Sequence, residues 1–321
     1  MKTFLAVLLF SALISPQPPV HAQVSYPSKP IRLVQGFGPG GNADTVARIV
    51  ADSMSKIFGQ PVVVEAKTGA GGNIASAEVA KSSPDGYTLL LLTGGHAVSA
   101  GLYKSLPFHP VDDFSMISTI TFFPFVVSVR PDHPAKTLQD AIQMAKAQPG
   151  KLNYSSVGVG STQHLAGELI SSMAGIRMTH VPYRGGAAPM EGLLRGDVDL
   201  LIDTVTFTTT QLQGGRVRPL AVTSARPWPS LPGVPAAAET LPGFDVRSWT
   251  GLAGPKGMDR NLVQRLNLAL NDAVAVGAVR RQLEGLGNHV LPGTPTEMRE
   301  LVAREAARWA QVIKDAKIPQ Q

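Results

Sequence analysis

Two α/β domains built on mainly parallel sheets are what this sequence predicts, and three observations predict them. Short apolar runs alternate with helical patterns from one end to the other. The 321 residues, 44% hydrophobic and 16% charged, are globular in composition and suffice for two domains of roughly 150 residues each. Proline-rich stretches at residues 123–134 and 226–244 mark two places where the chain would cross between domains. Two crossings make a discontinuous first domain, residues 23–126 with 247–321, around a continuous second one, residues 127–246.

Taken in order, residues 1–22 (MKTFLAVLLFSALISPQPPVHA) read as an export leader: one Lys, an apolar core from Phe4 to Ile14, then Val20 and Ala22 as the small residues of a cleavage site. Cleavage after Ala22 leaves Gln23 as the new N-terminus and places the protein in an exported compartment. No Cys follows the cleavage point, so lipid attachment there is excluded, and the absence of Cys from the whole chain excludes disulfides and thiol chemistry.

The next stretch is the most informative. An apolar strand, IRLVQ at residues 31–35, runs into the glycine-rich turn GFGPGG at 36–41 and then a helix whose core face carries Val46, Ile49, Val50 and Ile57. Backbone N–H groups in such a turn, backed by the positive end of a helix, suit an anion. Further strands are expected at 61–65, 87–92, 125–130, 152–156, 198–203 and 220–223. One helix is expected to begin at Thr137, with Asp140 three residues on, and another at Ser161. The last begins at Thr294, where cap, Pro295 and the capping-box acid Glu297 agree. That final helix presents Met298, Leu301, Val302, Ala306, Trp309, Val312 and Ile313 on one stripe, interrupted by Glu305, a face made for docking onto the protein itself.

Four glycine-rich turns lie between a strand and a helix start, at Gly36, Lys67, Thr93 and Ser156. Strand ends on one side of an open α/β sheet are where ligands collect, so these loops could share one cleft. In the last of them, Ser161 and Thr162 offer hydroxyls and free N–H groups, and His164 a further donor. A hinged two-domain receptor has this plan, with ligand bound where the domains face each other.

Other chemistries fit less well. Gly36, Gly38 and Gly41 satisfy G-x-G-x-x-G and Glu65 ends the next strand, but Pro39 removes an N–H from the loop and an exported compartment offers no free NAD. No cofactor is expected. Ser161, His164 and Asp203 suggest an exported hydrolase as the alternative, yet GVGSTQH lacks the second glycine of a nucleophile elbow. The seven His are dispersed and form no metal-binding spacing. Net charge is +6, and +5 once Lys2 leaves with the leader; the charges are scattered, which favours acidic small molecules mildly and does not indicate nucleic acid.

Eleven ordered motifs then point one way. YPSKPIRLV, F-x-PGG-x-x-D-x-x-AR (37–48), GQPVVVE (59–65), GAGG (69–72), PDGYTLL (84–90), LPF…DF (106–114), AKAQPGKLNY (145–154), G-x-GS-x-x-HLAGEL (158–169), HVPYRGG (180–186), LAVTSARPWPSLPGVP (220–235) and W-x-G-L-x-x-P (249–255) closely resemble the Bug receptors, periplasmic solute-binding proteins of tripartite tricarboxylate transporters. The resemblance covers nearly the whole chain after the leader. It implies a type II periplasmic binding protein fold, two α/β domains closing on a small carboxylated ligand, with the membrane permease subunits as partners and a monomer as the expected state.

Carried over by motif, the carboxylate loops are Phe37, Gly40 and Gly41, then Ala70, Gly71, Gly72 and Asn73, with Ser161, Thr162 and His164 across the cleft. Tyr183 and Asp203 would approach the variable part of the ligand. The chain departs from the family at Ala66 and Lys67, where Asn-Arg is usual, at Gly38, and at Thr240 and Leu241. These changes spare the carboxylate loops. The surfaces expected to set selectivity, residues 94–99 and 203–207, carry no readable ligand signature.

Overall fold

The structure, a computed structural model, describes residues 26–321; the leader and its cleavage site lie outside the described residues. The first half is built from β1 (Ile31–Gln35), α1 (Asn42–Phe58), β2 (Val62–Ala66), α2 (Asn73–Ala80), β3 (Thr88–Thr93) and α3 (Gly94–Leu102), ending in the long strand β4 (Phe114–Val129). The second contains α4 (Leu138–Ala147), β5 (Asn153–Ser156), α5 (Thr162–Ala174), β6 (Thr179–Pro182), α6 (Ala188–Arg195), β7 (Leu200–Thr204), α7 (Val205–Gln213) and β8 (Arg218–Val222). The chain returns through β9 (Arg247–Pro255), α8 (Arg260–Ala275), α9 (Gly277–Gly285), β10 (His289–Val290) and α10 (Pro295–Asp315).

The strands follow the order β2-β1-β3-β9-β4-β7-β5-β6, with β8 and β10 also paired to β4. Strand β4 serves both halves. Its residues Phe114 to Pro124 pair with β9, and Phe125 to Val129 pair with β7 and β8. Pro124 sits at the change of partner, and the missing N–H of proline is tolerable where a ladder is being handed over.

The pairing corrects one expectation. The sheets are mixed: β1 with β2 and β3, and β5 with β6 and β7, are parallel, but every pairing of β4 and β9 is antiparallel. Both strands carry the chain from one half to the other, so they enter each sheet against the direction set by its βαβ units. The 125–130 strand is the second part of β4.

Local signals fare well. Thr137 and Asp140 form a reciprocal capping box, as do Thr294 and Glu297 with Pro295 at the first helical position, and Ser161 caps α5. On α1, Val46, Ile49 and Val50 are buried, but Ile57 is 44% exposed. The buried face ends with Ser53 and Met54, one turn before Gly59 closes the helix in the left-handed conformation.

Trp309 is 1% exposed and Ile313 3%. Both belong to the apolar cluster of the second half, with Val127, Leu165 and Phe244. Met298, Leu301 and Val302 of the same helix pack into the first half's cluster with Leu90 and Trp249. Helix α10 therefore ties the two cores together.

Candidate functional site

The loops at the C-terminal ends of β1, β3, β5 and β7 converge, and four helices start where they meet. Gly41, Thr93, Ser161 and Thr204 are the residues preceding α1, α3, α5 and α7. Between them lies a pocket closed off by Phe37, Phe123 and Phe125, with Val157 and Gly186 from the second half. The space between these residues is about 470 Å³. Its walls include Gly41, Asn42 and Ala43 from α1, Thr93 before α3, Thr162 and Gln163 from α5, and Thr204 before α7. No Lys, Arg or His is among these lining residues. Four helix N-termini border the pocket instead, and the positive end of a helix suits an anion.

The first loop is held rigid by its neighbours. Gln35 accepts a bond from the Phe37 N–H at 2.8 Å and donates to the Phe37 carbonyl at 2.8 Å. Asp44 accepts from the Gly40 N–H at 3.1 Å and from Arg48. The Gly40 N–H is thus spent within the loop, while Phe37 and Gly41 reach the pocket.

Asp203 also lines the pocket, at 3% exposure. Its Oδ1 accepts from the Thr204 N–H at 2.7 Å, and its Oδ2 is buried without a hydrogen-bond partner. Burial pushes its carboxyl up to about 7, against the opposing pull of the Thr204 N–H and the side chains of Gln163 and Thr204. Asn42, 6% exposed, likewise has neither its Oδ1 nor its Nδ2 engaged.

The other expected site residues surround this pocket. Ala70, Gly71 and Tyr183 line an outer recess that shares Phe37 and Val157 with the inner pocket. The Tyr183 hydroxyl packs against Gly192 of α6, where a Cβ would stand 2.1 Å from it. Gly72 packs on Gly36, and Asn73 accepts a bond from Ser99 at 2.6 Å. Within 94–99, His96 stacks on Phe108 in the core, where burial lowers its pKa to about 4.

Ser161 and His164 are not arranged for nucleophilic attack. The Ser161 Oγ donates to the Gly158 carbonyl at 2.7 Å and accepts from the backbone N–H of His164 at 3.2 Å. The His164 ring stacks on His180, centroids 4.2 Å apart, and burial lowers the two rings to about 4 and about 3. A serine whose hydroxyl serves its own helix, beside a histidine turned toward another ring, lacks the nucleophile-base bond a hydrolase needs. The glycine turn of the dinucleotide pattern packs against the opposite loop, where a Cβ on Gly38 would meet the Gly186 nitrogen at 3.1 Å. Glu65, its ribose candidate, is paired to Arg32 at 2.7 Å.

Asn42, Gln163, Phe123, Phe125 and Ser248 were not singled out from the sequence, and Thr204 entered only within the 203–207 surface. Three of them carried a signal: Asn42 follows the glycine turn directly, and Phe123 and Phe125 flank the proline of the crossing.

Two α/β halves with a pocket at their strand ends have the architecture of a solute-binding protein of the periplasmic class. The sequence comparison gives the family: the model of the tripartite tricarboxylate transporter family receptor, TctC, matches residues 46–318, and the chain belongs to that family. BugT of Bordetella pertussis is 33% identical over 319 residues, 98% of each chain. Among solved structures, the Rhodopseudomonas palustris protein Rpa4515 with adipate matches with a TM-score of 0.88 and 34% identity, over 92% of this chain and 100% of that one. The periplasmic binding protein BugD matches equally, at TM-score 0.88 and 34% identity over the same shares.

Proposed function

We propose that this protein captures a small carboxylated solute between its halves and hands it, chemically unchanged, to the membrane subunits of a tripartite tricarboxylate-type transporter. The observation that carries this reading is the convergence of four helix N-termini on one pocket without a basic side chain. The adipate bound to its relative Rpa4515 supports a carboxylate as the ligand class. In this reading Phe37, Gly41, Thr162 and Asp203 touch the solute. Gly40, Ala70, Gly71, Gly72, Asn73, Ser161, His164 and Tyr183 shape the loops around it.

Residues 23–126 with 247–321 move against 127–246 to admit and release the ligand. The leader is removed after Ala22, and the mature chain works as a periplasmic monomer. Thermal denaturation against a panel of mono- and dicarboxylates, with NAD as a control, tests the reading. One or more acids should raise the melting temperature, since binding to the folded state stabilises by RT ln(1 + [L]/Kd). A shift with NAD and none with any acid overturns it.

A further inference from the structure

The pocket holds one feature that an anion alone does not explain. Two fully buried acceptors in its walls, Asp203 Oδ2 and Asn42 Oδ1, have no hydrogen-bond partner within the protein. Buried polar atoms are nearly always hydrogen-bonded, and an unpartnered carboxylate oxygen beside a bound anion would repel it. A buried carboxylate oxygen left unpartnered in the wall of such a site is satisfied when the ligand brings a donor of its own.

We propose that Asp203 and Asn42 make this receptor selective for acids that carry a hydrogen-bond donor next to the bound carboxylate, a hydroxyl or an ammonium, over the acid of equal length that lacks it. The proposal rests on the carboxylate-receptor reading above and names the ligand class within it. Thr204, whose N–H holds Asp203 Oδ1 at 2.7 Å, fixes the carboxyl so that Oδ2 is the atom left for the ligand. Asp203 pairs with Val126 of β4 and Asn42 opens α1 of the other half, so the two acceptors approach one ligand from opposite walls. A site built to bond a substrate O–H or N–H rejects the analogue without it far more strongly than an apolar pocket rejects a missing methylene.

The test is isothermal calorimetry on the mature protein with matched ligands: succinate, malate and aspartate; glutarate, 2-hydroxyglutarate and glutamate; butyrate, 2-hydroxybutyrate and 2-aminobutyrate. In at least one set the hydroxy or amino member should bind about tenfold or more tightly than the plain acid, and the two arms tell hydroxyl from ammonium. Asp203→Asn should shrink that preference to less than about threefold, because its amide can turn a donor toward the plain acid. Asn42→Ala should reduce it in the same direction if Asp203→Asn does not fold. Plain acids binding as well as their donor-bearing partners in every set overturn the proposal while leaving the carboxylate reading intact; no response to any acid overturns both.

Discussion

Gly38 and Gly186 meet backbone to backbone across the cleft. A Cβ on Gly38 would stand 3.1 Å from the Gly186 nitrogen, and one on Gly186 would stand 2.7 Å from the Pro39 carbonyl oxygen. Gly71 and Gly160 repeat the arrangement on the other side of the pocket, where a Cβ on Gly71 would lie 2.8 Å from the Gly160 carbonyl carbon. The halves meet through paired glycine loops in which even a methyl group is a wedge.

Gly38→Val should therefore hold the cleft ajar. Gly38 has no left-handed φ, so the substitution acts through space and not through backbone strain. Ligand affinity should fall about tenfold or more, because only the closed fraction binds. Small-angle scattering at saturating ligand should give a larger radius of gyration than wild type; an unchanged radius and affinity would dismiss the wedge.

Ser161 and its neighbour should separate cap from ligand contact. Ser161→Ala removes a helix cap and should cost roughly 1 kcal/mol of stability in urea titration. Thr162→Val keeps shape but removes a hydroxyl from the pocket wall, and should weaken carboxylate binding by roughly 1.5–3 kcal/mol, at least about tenfold, with little change in stability. The two substitutions giving the same profile would show that the pocket is not where the ligand sits.

Acid should unfold this protein early. His96, His164 and His180 are held by burial at about 4, about 4 and about 3 in the fold, below the ordinary 6.5. Between those values the unfolded chain binds the protons first, so their contribution is complete above pH 6.5 and is lost as pH falls toward 4. Asp203, raised from 3.8 to about 7, runs the other way: its contribution is present below pH 3.8 and is lost as pH rises to 7. Three groups outweigh one, and stability should drop by at least about 1.4 kcal/mol per pH unit near pH 5. A urea midpoint independent of pH from 6.5 to 4 would refute the burial of these rings.

Trp309→Ala should cost about 3–5 kcal/mol, as for a large buried aromatic, since its helix joins both cores. A loss below about 1 kcal/mol in denaturant would mean that α10 is fastened to one half only.

Much of this was legible because it is local. Strand β1 is a short, mainly apolar run, and the caps at Thr137, Ser161 and Thr294 are set by residues three apart. Strand β9 hid because its glycines break the apolar pattern for reasons that lie elsewhere in the chain. The space beside Gly251 is filled by the end of Met298, which a Cβ would approach to 2.5 Å, and that beside Gly254 by the sulfur of Met258 at 2.2 Å. In the site, the glycine turns announced an affinity for anions, since their chemistry is in consecutive residues. The meeting of Asn42, Gln163, Asp203 and Ser248 depends on how β7 and β9 join the sheets, and no window of sequence contains it.

The unbroken passage of β4 through both halves, with α10 packed into both cores, has a consequence for communication with a membrane partner. In the proposed hinge the rim around Gly38 and Gly186 is where the halves part and meet. A transporter that must tell a loaded receptor from an empty one has that rim to inspect.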